Sequence, residues 1–379
     1  MSIKDKAAVW YIKNILLPKI EEIDKPGFVV SRASQRGKET YLRILFLPEL
    51  LLMNIENEVA KKYGDEGKKL LYATGKKFGY VYASVSNFPT LKSASEKEVM
   101  EFTYFFTKLL GVTYAENADF KRETGKTVSF VADNYLVCRK NGIGHILADG
   151  GGAGFWAYAM ADKKVEGVQT ECVGRKGKRC VVVCGPLEEL RKRGLEPYSS
   201  QNLEEVEAGA KYKALNEVKK TVYAKNSLRR LLDMKFFTQT EAGIDFKGER
   251  HFLCESHLVY IIENEVERKK GGEELLFRAS FKAGEEIGKL SGDKNAAGFV
   301  NDYLPALGWG DIVLTKRADK YCVDALYFPW TTYAEKSRFT IFRGLASGMV
   351  SALLGKRLNF MLASTEMTLG ALTLHLKEE

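Results

Sequence analysis

The chain has 379 residues, of which 45% are hydrophobic and 28% charged, a balance typical of folded globular proteins rather than disordered ones. Its length suits two domains of about 100–200 residues each. The net charge is +9, but basic and acidic residues are interspersed and no basic motif is interleaved with aromatic residues, so nucleic-acid binding is not predicted.

Membrane insertion and secretion are not predicted either. No stretch approaches the roughly 20 apolar residues that a membrane span needs. Residues 1–5 lead into an amphipathic segment and not into the apolar core of a signal peptide. We therefore expect a cytoplasmic protein. Abundant Lys and Glu with scarce Gln are typical of thermophilic proteins, including those of archaea, whose cytosol tolerates disulfides.

The first part of the chain predicts alternating helices and hairpins, from apolar periodicity and from Gly and Pro punctuation. In chain order, the predicted elements are a helix at 7–23, a hairpin of strands 28–32 and 41–46, helices at 49–62, 68–84 and 97–111, strands at 111–117 and 127–135, a helix at 153–161, a hairpin at 165–185, a short helix at 187–194 and a helix at 203–232. Gly75 and Gly79 lie four residues apart on one of these helices. That spacing favours close helix packing, with a ligand against bare backbone as the alternative.

The chain contains one of its own stretches twice, and a self-match at a fixed offset indicates a duplicated module. Residues 43–64 and 250–271 align at an offset of 207, and the tetrapeptide Glu-Asn-Glu-Val at 56–59 returns unchanged at 263–266. A second pair of helical glycines, Gly284 and Gly288, repeats the spacing of the first. Gly348 aligns with Gly154 in this comparison. The duplication predicts an intramolecular pseudo-dimer of two modules, residues 1–198 and 208–379, joined by a linker at 199–207.

Taken in order, the repeated elements resemble a known family. A hairpin leads into a Leu-rich helix that ends at Gly. A "LLYATGKKFG" helix, the "LGWGD" motif at 307–311, a glycine-bearing helix and a hairpin with cysteines then follow. The pattern resembles the 4-vinyl reductase domain, a relative of the haem-NO-binding and trafficking-protein-particle ligand domains. The resemblance implies a mixed α/β (α+β) module, in which helices pack on an antiparallel sheet and enclose an apolar pocket for a small hydrophobic molecule.

Three of the six cysteines cluster as Cys172-x7-Cys180-x3-Cys184 on one predicted hairpin. From the residues alone, zinc, a disulfide and free buried thiols all remain open. The resemblance implies a zinc site built from the two hairpin cysteines, an upstream Glu and a further Cys. Here Val168 and Gln169 occupy the upstream positions. The second copy has no cysteines there, so we expect at most one zinc ion, in the first module.

Aromatic residues are the candidates for lining an apolar pocket. Those selected from the two copies are Phe78, Phe105, Phe155, Trp156, Phe281 and Trp309. The four histidines are scattered, and no pair of carboxylates stands out as a general acid and base, so no catalytic residue is assigned.

The sequence therefore predicts a non-enzymatic sensor or carrier of a lipid-like or aromatic ligand, with further homo-oligomerisation left open. Two alternatives remain. One is an enzyme, or an enzyme accessory, in tetrapyrrole or hydrocarbon metabolism. The other is a protein-docking scaffold.

Overall fold

A computed structural model describes residues 25–35, 38–85, 90, 114–123, 126–137, 142–198, 221–293, 295–330, 337–368 and 371–379. These residues form eight α-helices and thirteen β-strands in three antiparallel sheets, with helices packed against the sheets. The predicted mixed α/β fold is confirmed. The helices predicted at 7–23 and 97–111 lie outside the described residues.

The elements are numbered along the chain. The helices are α1 (Glu49–Val85), α2 (Ile146–Ala159), α3 (Leu187–Lys192), α4 (Leu228–Asp233), α5 (His257–Glu267), α6 (Gly272–Ser291), α7 (Ala296–Ala306) and α8 (Thr340–Leu354). The strands are β1 (Val30–Gln35), β2 (Lys38–Pro48), β3 (Glu116–Arg122), β4 (Val128–Asp133), β5 (Val165–Glu171), β6 (Cys180–Pro186), β7 (Thr238–Thr240), β8 (Gly243–Phe246), β9 (Glu249–Glu255), β10 (Asp311–Arg317), β11 (Lys320–Phe328), β12 (Phe360–Thr368) and β13 (Ala371–Glu378).

A five-stranded sheet of order β1-β2-β9-β8-β7 joins the first half of the chain (residues up to 198) to the second half (residues from 221). Its middle pair is antiparallel, and Phe46 of β2 lies opposite Leu253 of β9. Residue 253 follows residue 46 by 207 positions, the offset of the sequence repeat. Leu45 and Leu47 likewise face Cys254 and Phe252, so the pairing is symmetric about the 46/253 position.

Each half also has a four-stranded antiparallel sheet of its own. The strand orders are β3-β4-β6-β5 in the first half and β10-β11-β13-β12 in the second. In both sheets the fourth strand of the set lies between the second and the third. In both, a glycine-bearing helix, α2 or α8, connects the second strand to the third.

These two glycine-bearing helices pack against α1 and α6 at very short range. A Cβ built on Gly75 or Gly79 of α1 would come within 2.0 Å of a carbonyl oxygen of α2, and one on Gly284 of α6 would come 2.0 Å from the Leu345 carbonyl oxygen of α8. Glycine costs about 1 kcal/mol relative to Ala inside a helix. The close approach that it permits accounts for its presence, and the prediction of close helix packing is confirmed.

The bounds of several elements differ from the sequence expectation. Helix α1 consists of two helical segments joined at a kink at Gly64 (φ 58°), so the two predicted helices at 49–62 and 68–84 are confirmed, with a shorter break between them than expected. Helix α2 begins at Ile146 and not at residue 153, because packing against α1 compensates for the low helix propensity of Gly150–152. Strand β3 lies at Glu116–Arg122, not 111–117, since its pairing with β4 continues past an irregularity between Glu116 and Asp119.

The helix predicted at 203–232 is only partly described, and the described part differs from the expectation. Residues 221–227 are not helical, and α4 begins only at Leu228. The reason is a competing acceptor. The carboxylate of Asp311 accepts hydrogen bonds from the backbone N–H groups of Val222, Tyr223 and Ala224. Within the described residues, no helix is long and apolar enough to cross a membrane.

Candidate ligand-binding cavity

A cavity of about 100 Å³ lies between α1, α2, α5 and β9. Most of its walls are aliphatic or aromatic, and most of those side chains are themselves buried. The described lining residues are Leu52, Phe78, Gly79, Tyr82, Tyr114, Tyr135, Leu136, His145, Leu147, Ala148, Gly151, Gly152, Phe155, Phe252 and Leu258.

Helix α2 provides one wall through a single face. Ala148, Gly151, Gly152 and Phe155 follow the i, i+3, i+4, i+7 spacing that places residues on one side of a helix. Three of the four have no side chain or only a methyl group. The cavity exists because this face carries little side-chain volume where α2 meets α1.

The second half of the chain completes the cavity. Phe252 lies on β9, directly opposite Leu47 of β2, and its ring is 6.1 Å from that of Tyr114 in a T-shaped arrangement. Leu258 reaches the cavity from the first turn of α5. The pocket therefore lies at the junction of the two halves, and neither half encloses it alone.

A polar group stands in the otherwise apolar wall where α2 begins. Nδ1 of His145 lies 2.9 Å from Oε1 of Glu56, and both side chains are buried. The same Glu56 oxygen accepts a hydrogen bond of 3.1 Å from the backbone N–H of Leu147. Glu56 thereby satisfies one of the free donors at the helix N-terminus, where a carboxylate is favoured. The pair holds the His145 ring at the cavity wall.

Tyrosines make up the other polar part of the wall. Tyr82 stacks on Phe78, with ring centroids 5.9 Å apart, and Tyr135 packs 5.7 Å from the His145 ring. Burial raises the pKa of Tyr114 well above its ordinary value, so its hydroxyl is neutral at any physiological pH. The cavity wall thus includes three tyrosines among mostly apolar side chains.

The Glu in the second copy of the repeated tetrapeptide makes the same kind of hydrogen bond. Glu263, the counterpart of Glu56, accepts a 3.0 Å hydrogen bond from the backbone N–H of Ile341 in the first turn of α8. Its other oxygen accepts from the Ser337 hydroxyl at 2.7 Å. Burial and the nearby Glu267 raise the pKa of Glu263 to about 7. A carboxylate that holds the start of the glycine-bearing helix explains why this Glu recurs in both copies.

The aromatic residues selected from the sequence lie in different places. Phe78 and Phe155 line the cavity. Trp156 packs edge-to-face on Phe155, 6.2 Å away, in an adjoining apolar cluster. Phe281 lies beside Phe277 and under the guanidinium of Arg357. Trp309 is fully buried, 5.3 Å from Phe342. Phe105 lies outside the described residues.

Sequence reasoning missed most of the polar wall and the whole contribution of the second half. His145 was one of the four scattered histidines that received no role, and Tyr82, Tyr114 and Tyr135 were not selected. The repeated Glu was a usable signal, because a buried carboxylate needs a partner and His145 precedes the glycine-bearing helix. No signal in one sequence could have placed Phe252 and Leu258, since their role depends on how the two halves pack.

The three candidate zinc ligands separate into two apolar clusters. Cys172 and Cys180 pack with Tyr135 and small alanines, whereas Cys184 packs with Phe155 and Trp156. Burial, together with Asp149 and Glu166, raises the pKa of the Cys184 thiol far above its ordinary value, which disfavours the thiolate that zinc requires. Among the described residues, no group of three or more His, Cys, Asp or Glu side chains is arranged to hold a metal ion.

Comparisons with known proteins found few likenesses. No family model matches the chain. No curated protein matches it either. Among solved structures, the chain is similar to the phenol-responsive sensory domain of the transcription activator PoxR with phenol, at 16% sequence identity and a TM-score of 0.35. That likeness covers 53% of this chain and 100% of the other.

Proposed function

We propose that this chain is a non-enzymatic binding protein, a sensor or carrier, that holds one compact apolar or aromatic molecule in the cavity between its halves. The observation that carries the proposal is the cavity itself. It is lined mostly by leucine, phenylalanine and small side chains, with three tyrosines and one histidine among them. Apolar pockets with a few convergent polar groups are the usual form of a small-molecule site.

The size of the cavity limits the ligand. An engineered cavity of about 150 Å³ in another protein binds benzene, whereas drug-sized ligands occupy roughly 300–1,000 Å³. At about 100 Å³, this cavity suits a single ring or a similarly compact molecule. Of the two ligand classes predicted from the sequence, the aromatic one is therefore favoured over a long acyl chain.

The composition of the wall limits the ligand further. The polar side chains of the described wall belong to Tyr82, Tyr114, Tyr135 and His145. No lysine or arginine lines the described walls, so a carboxylate or phosphate would lack a countercharge there. We infer a neutral ligand with at most one or two hydrogen-bonding groups.

Calorimetry and thermal melts with toluene, phenol, naphthalene and decanoate test this proposal. We expect toluene and phenol to bind and to raise the melting temperature, because a ligand at 100 times its Kd stabilises the folded state by about 2.7 kcal/mol. Naphthalene should bind more weakly, and decanoate should not bind. Binding of decanoate in preference to the single rings would overturn the proposed ligand class.

We also infer that the chain is an intramolecular pseudo-dimer. The symmetric register of β2 and β9 supports it, as does a reciprocal pair of arginines. Arg43 on β2 donates to the Tyr327 and Gly308 carbonyl oxygens of the second half. Its counterpart Arg250 on β9 donates to the Asn134 carbonyl oxygen and to Glu49 of the first half. Such mutual exchange is typical of a two-fold interface.

A further inference from the structure

The glycine-bearing helices α2 and α8 can be aligned through their contacts with α1 and α6. Gly75 of α1 approaches the Leu147 carbonyl oxygen and the Gly151 amide, and its counterpart Gly284 of α6 approaches the Leu345 carbonyl oxygen and the Met349 amide. Both pairs are 198 residues apart. Helix α8 therefore matches α2 at an offset of 198, and Gly348 takes the place of Gly150, not that of Gly154 as the sequence alignment predicted.

This register identifies what stands in the second half where the first half has its cavity. Gly151 corresponds to Met349, and Gly152 corresponds to Val350. Both larger side chains have no exposed surface and belong to the main apolar core. The face of α2 that leaves space in the first half therefore corresponds to a face of α8 whose side chains fill that space in the second half.

We propose that Gly151 and Gly152 are the residues that open the cavity and set the size of its ligand, and that Met349 and Val350 close the corresponding site in the second half. This inference rests on the proposed function for the identity of the ligand. It goes beyond that function in assigning this ligand site to one of two related modules, with ligand size set by two positions on α2.

The surroundings of the two glycines separate them from the packing glycines of the same helix. A Cβ on Gly151 would meet nothing closer than the Gly75 carbonyl oxygen at 3.9 Å, and one on Gly152 would meet the Cys184 sulfur at 3.6 Å. Both distances are ordinary contacts. On Gly150 and Gly154, by contrast, a Cβ would come within 2.0 Å of a carbonyl oxygen of α1. Side chains at 151 and 152 therefore have room for their first atom, and the cavity that both residues line is the space that the remaining atoms would occupy.

The test exchanges side chains between the halves. The double variant Gly151→Met, Gly152→Val should fill the cavity, and Gly151→Ala, Gly152→Ala is the matched control, since it removes the same glycines and adds only methyl groups. In the opposite direction, Met349→Ala, Val350→Ala should open a cavity in the second half. Xenon, followed by NMR of the protein in xenon-equilibrated buffer, reports each cavity without reference to the natural ligand, and toluene calorimetry reports the ligand site.

We expect wild type to bind xenon near Phe155 and to bind toluene, and the alanine control to retain the xenon site. The Met/Val variant should lose both signals while remaining folded. The Met349→Ala, Val350→Ala variant should gain a second xenon site beside residues 349 and 350 of α8. Unchanged xenon binding in the folded Met/Val variant would overturn the inference. If that variant does not fold, Gly152→Val alone and the second-half variant decide the question, and absence of the new xenon site would overturn it.

Failure of the proposed function has a different signature. If xenon binds to wild type and is lost in the Met/Val variant, but none of the organic probes binds wild type, the two glycines still set the size of the cavity. In that case the ligand class is wrong and the size determinant stands.

Discussion

At the scale of single residues, Glu56 and Glu263 show how a buried carboxylate is accommodated in each half. Each accepts a backbone hydrogen bond from the first turn of a glycine-bearing helix. Their second partners differ, because Glu56 faces His145 and Glu263 faces Ser337. Burial and the nearby Glu267 raise the pKa of Glu263. The stability of the protein should therefore change with pH through Glu263.

We expect Glu263 to make the protein less stable as the pH rises from about 5 to 8. Its pKa is raised from 4.5 to about 7 in the folded state, so the folded state binds the proton more tightly than the unfolded state does. The stability that this provides is present below pH 4.5 and is lost as the pH passes through 7. Relative to Glu263→Gln, wild type should lose about 3 kcal/mol over that range.

Urea denaturation of both proteins at pH 5 and pH 8 measures this difference. Glu265→Gln is the control, because Glu265 lies on the same helix but is bonded to Lys77 outside the Glu263 network. A difference between wild type and Glu263→Gln that does not change with pH would contradict the assignment.

The cysteines lead to a prediction about metal content. We expect elemental analysis of the purified protein to find at most one zinc ion per chain, with Cys184→Ser leaving the zinc content unchanged. The reason is that Cys184 lies in a different apolar cluster from Cys172 and Cys180. Cys180→Ser is the informative partner, since equal zinc in that variant and in wild type would remove the hairpin from consideration as a metal site.

At the scale of elements, the glycines of α2 divide by the direction in which they face. Gly150 and Gly154 meet the backbone of α1, whereas Gly151 and Gly152 border the cavity. One helix thus packs through one pair of glycines and leaves space through another pair. Substitution by Ala should separate the two roles.

We expect Gly154→Ala to destabilise the protein by about 2 kcal/mol or more, because its Cβ would lie 1.9 Å from the Lys76 carbonyl oxygen and the two helices would have to separate. Gly151→Ala should be neutral, or stabilising by up to about 1 kcal/mol, because alanine is the better helix former and its Cβ meets no close neighbour. Thermal melts of the two single variants measure both effects. Equal destabilisation would mean that the α1–α2 packing described above is wrong.

The elements also show how far sequence reasoning reaches. Helical periodicity and the repeated stretch predicted α5, α6, α8 and the cysteine hairpin, because those segments have clear apolar faces and glycine ends. The start of α2 and the position of β3 were wrong, since neighbouring elements override local propensity there. Of the cavity, Phe78 and Phe155 were predicted as apolar aromatic residues. Phe252 and the counterparts Met349 and Val350 could not be assigned, because their roles depend on packing between elements distant in sequence.

At the scale of the whole molecule, the two halves hold each other through a reciprocal contact. Arg43 and Arg250 are both buried, and each binds carbonyl oxygens of the half to which it does not belong. A guanidinium presents several N–H groups in a fixed plane, which lets one side chain satisfy acceptors on separate segments. These two residues should therefore contribute to the stability of the junction between the halves.

We expect Arg43→Lys and Arg250→Lys each to lower the free energy of unfolding by about 2 kcal/mol, because lysine cannot reproduce the multiple hydrogen bonds and leaves buried carbonyl oxygens unsatisfied. Chemical denaturation measures the loss. The control is Arg278→Lys, whose exposed pairing with Glu58 should change stability by less than about 1 kcal/mol. Arginine variants that match this control would argue against a shared, reciprocal junction.

The strand pairing at the centre of the molecule has a consequence for how the chain can vary. In a homodimer, a strand that pairs with its own copy must be complementary to itself, so every substitution changes both strands of the pair at once. In the pseudo-dimer that we propose, the two strands belong to one chain and that coupling ends, so Phe46 can face the smaller Leu253. Because the two modules can then vary independently, one can keep a cavity while the other fills the corresponding space with Met349 and Val350. On this proposal, joining the modules in one chain is what permits them to differ.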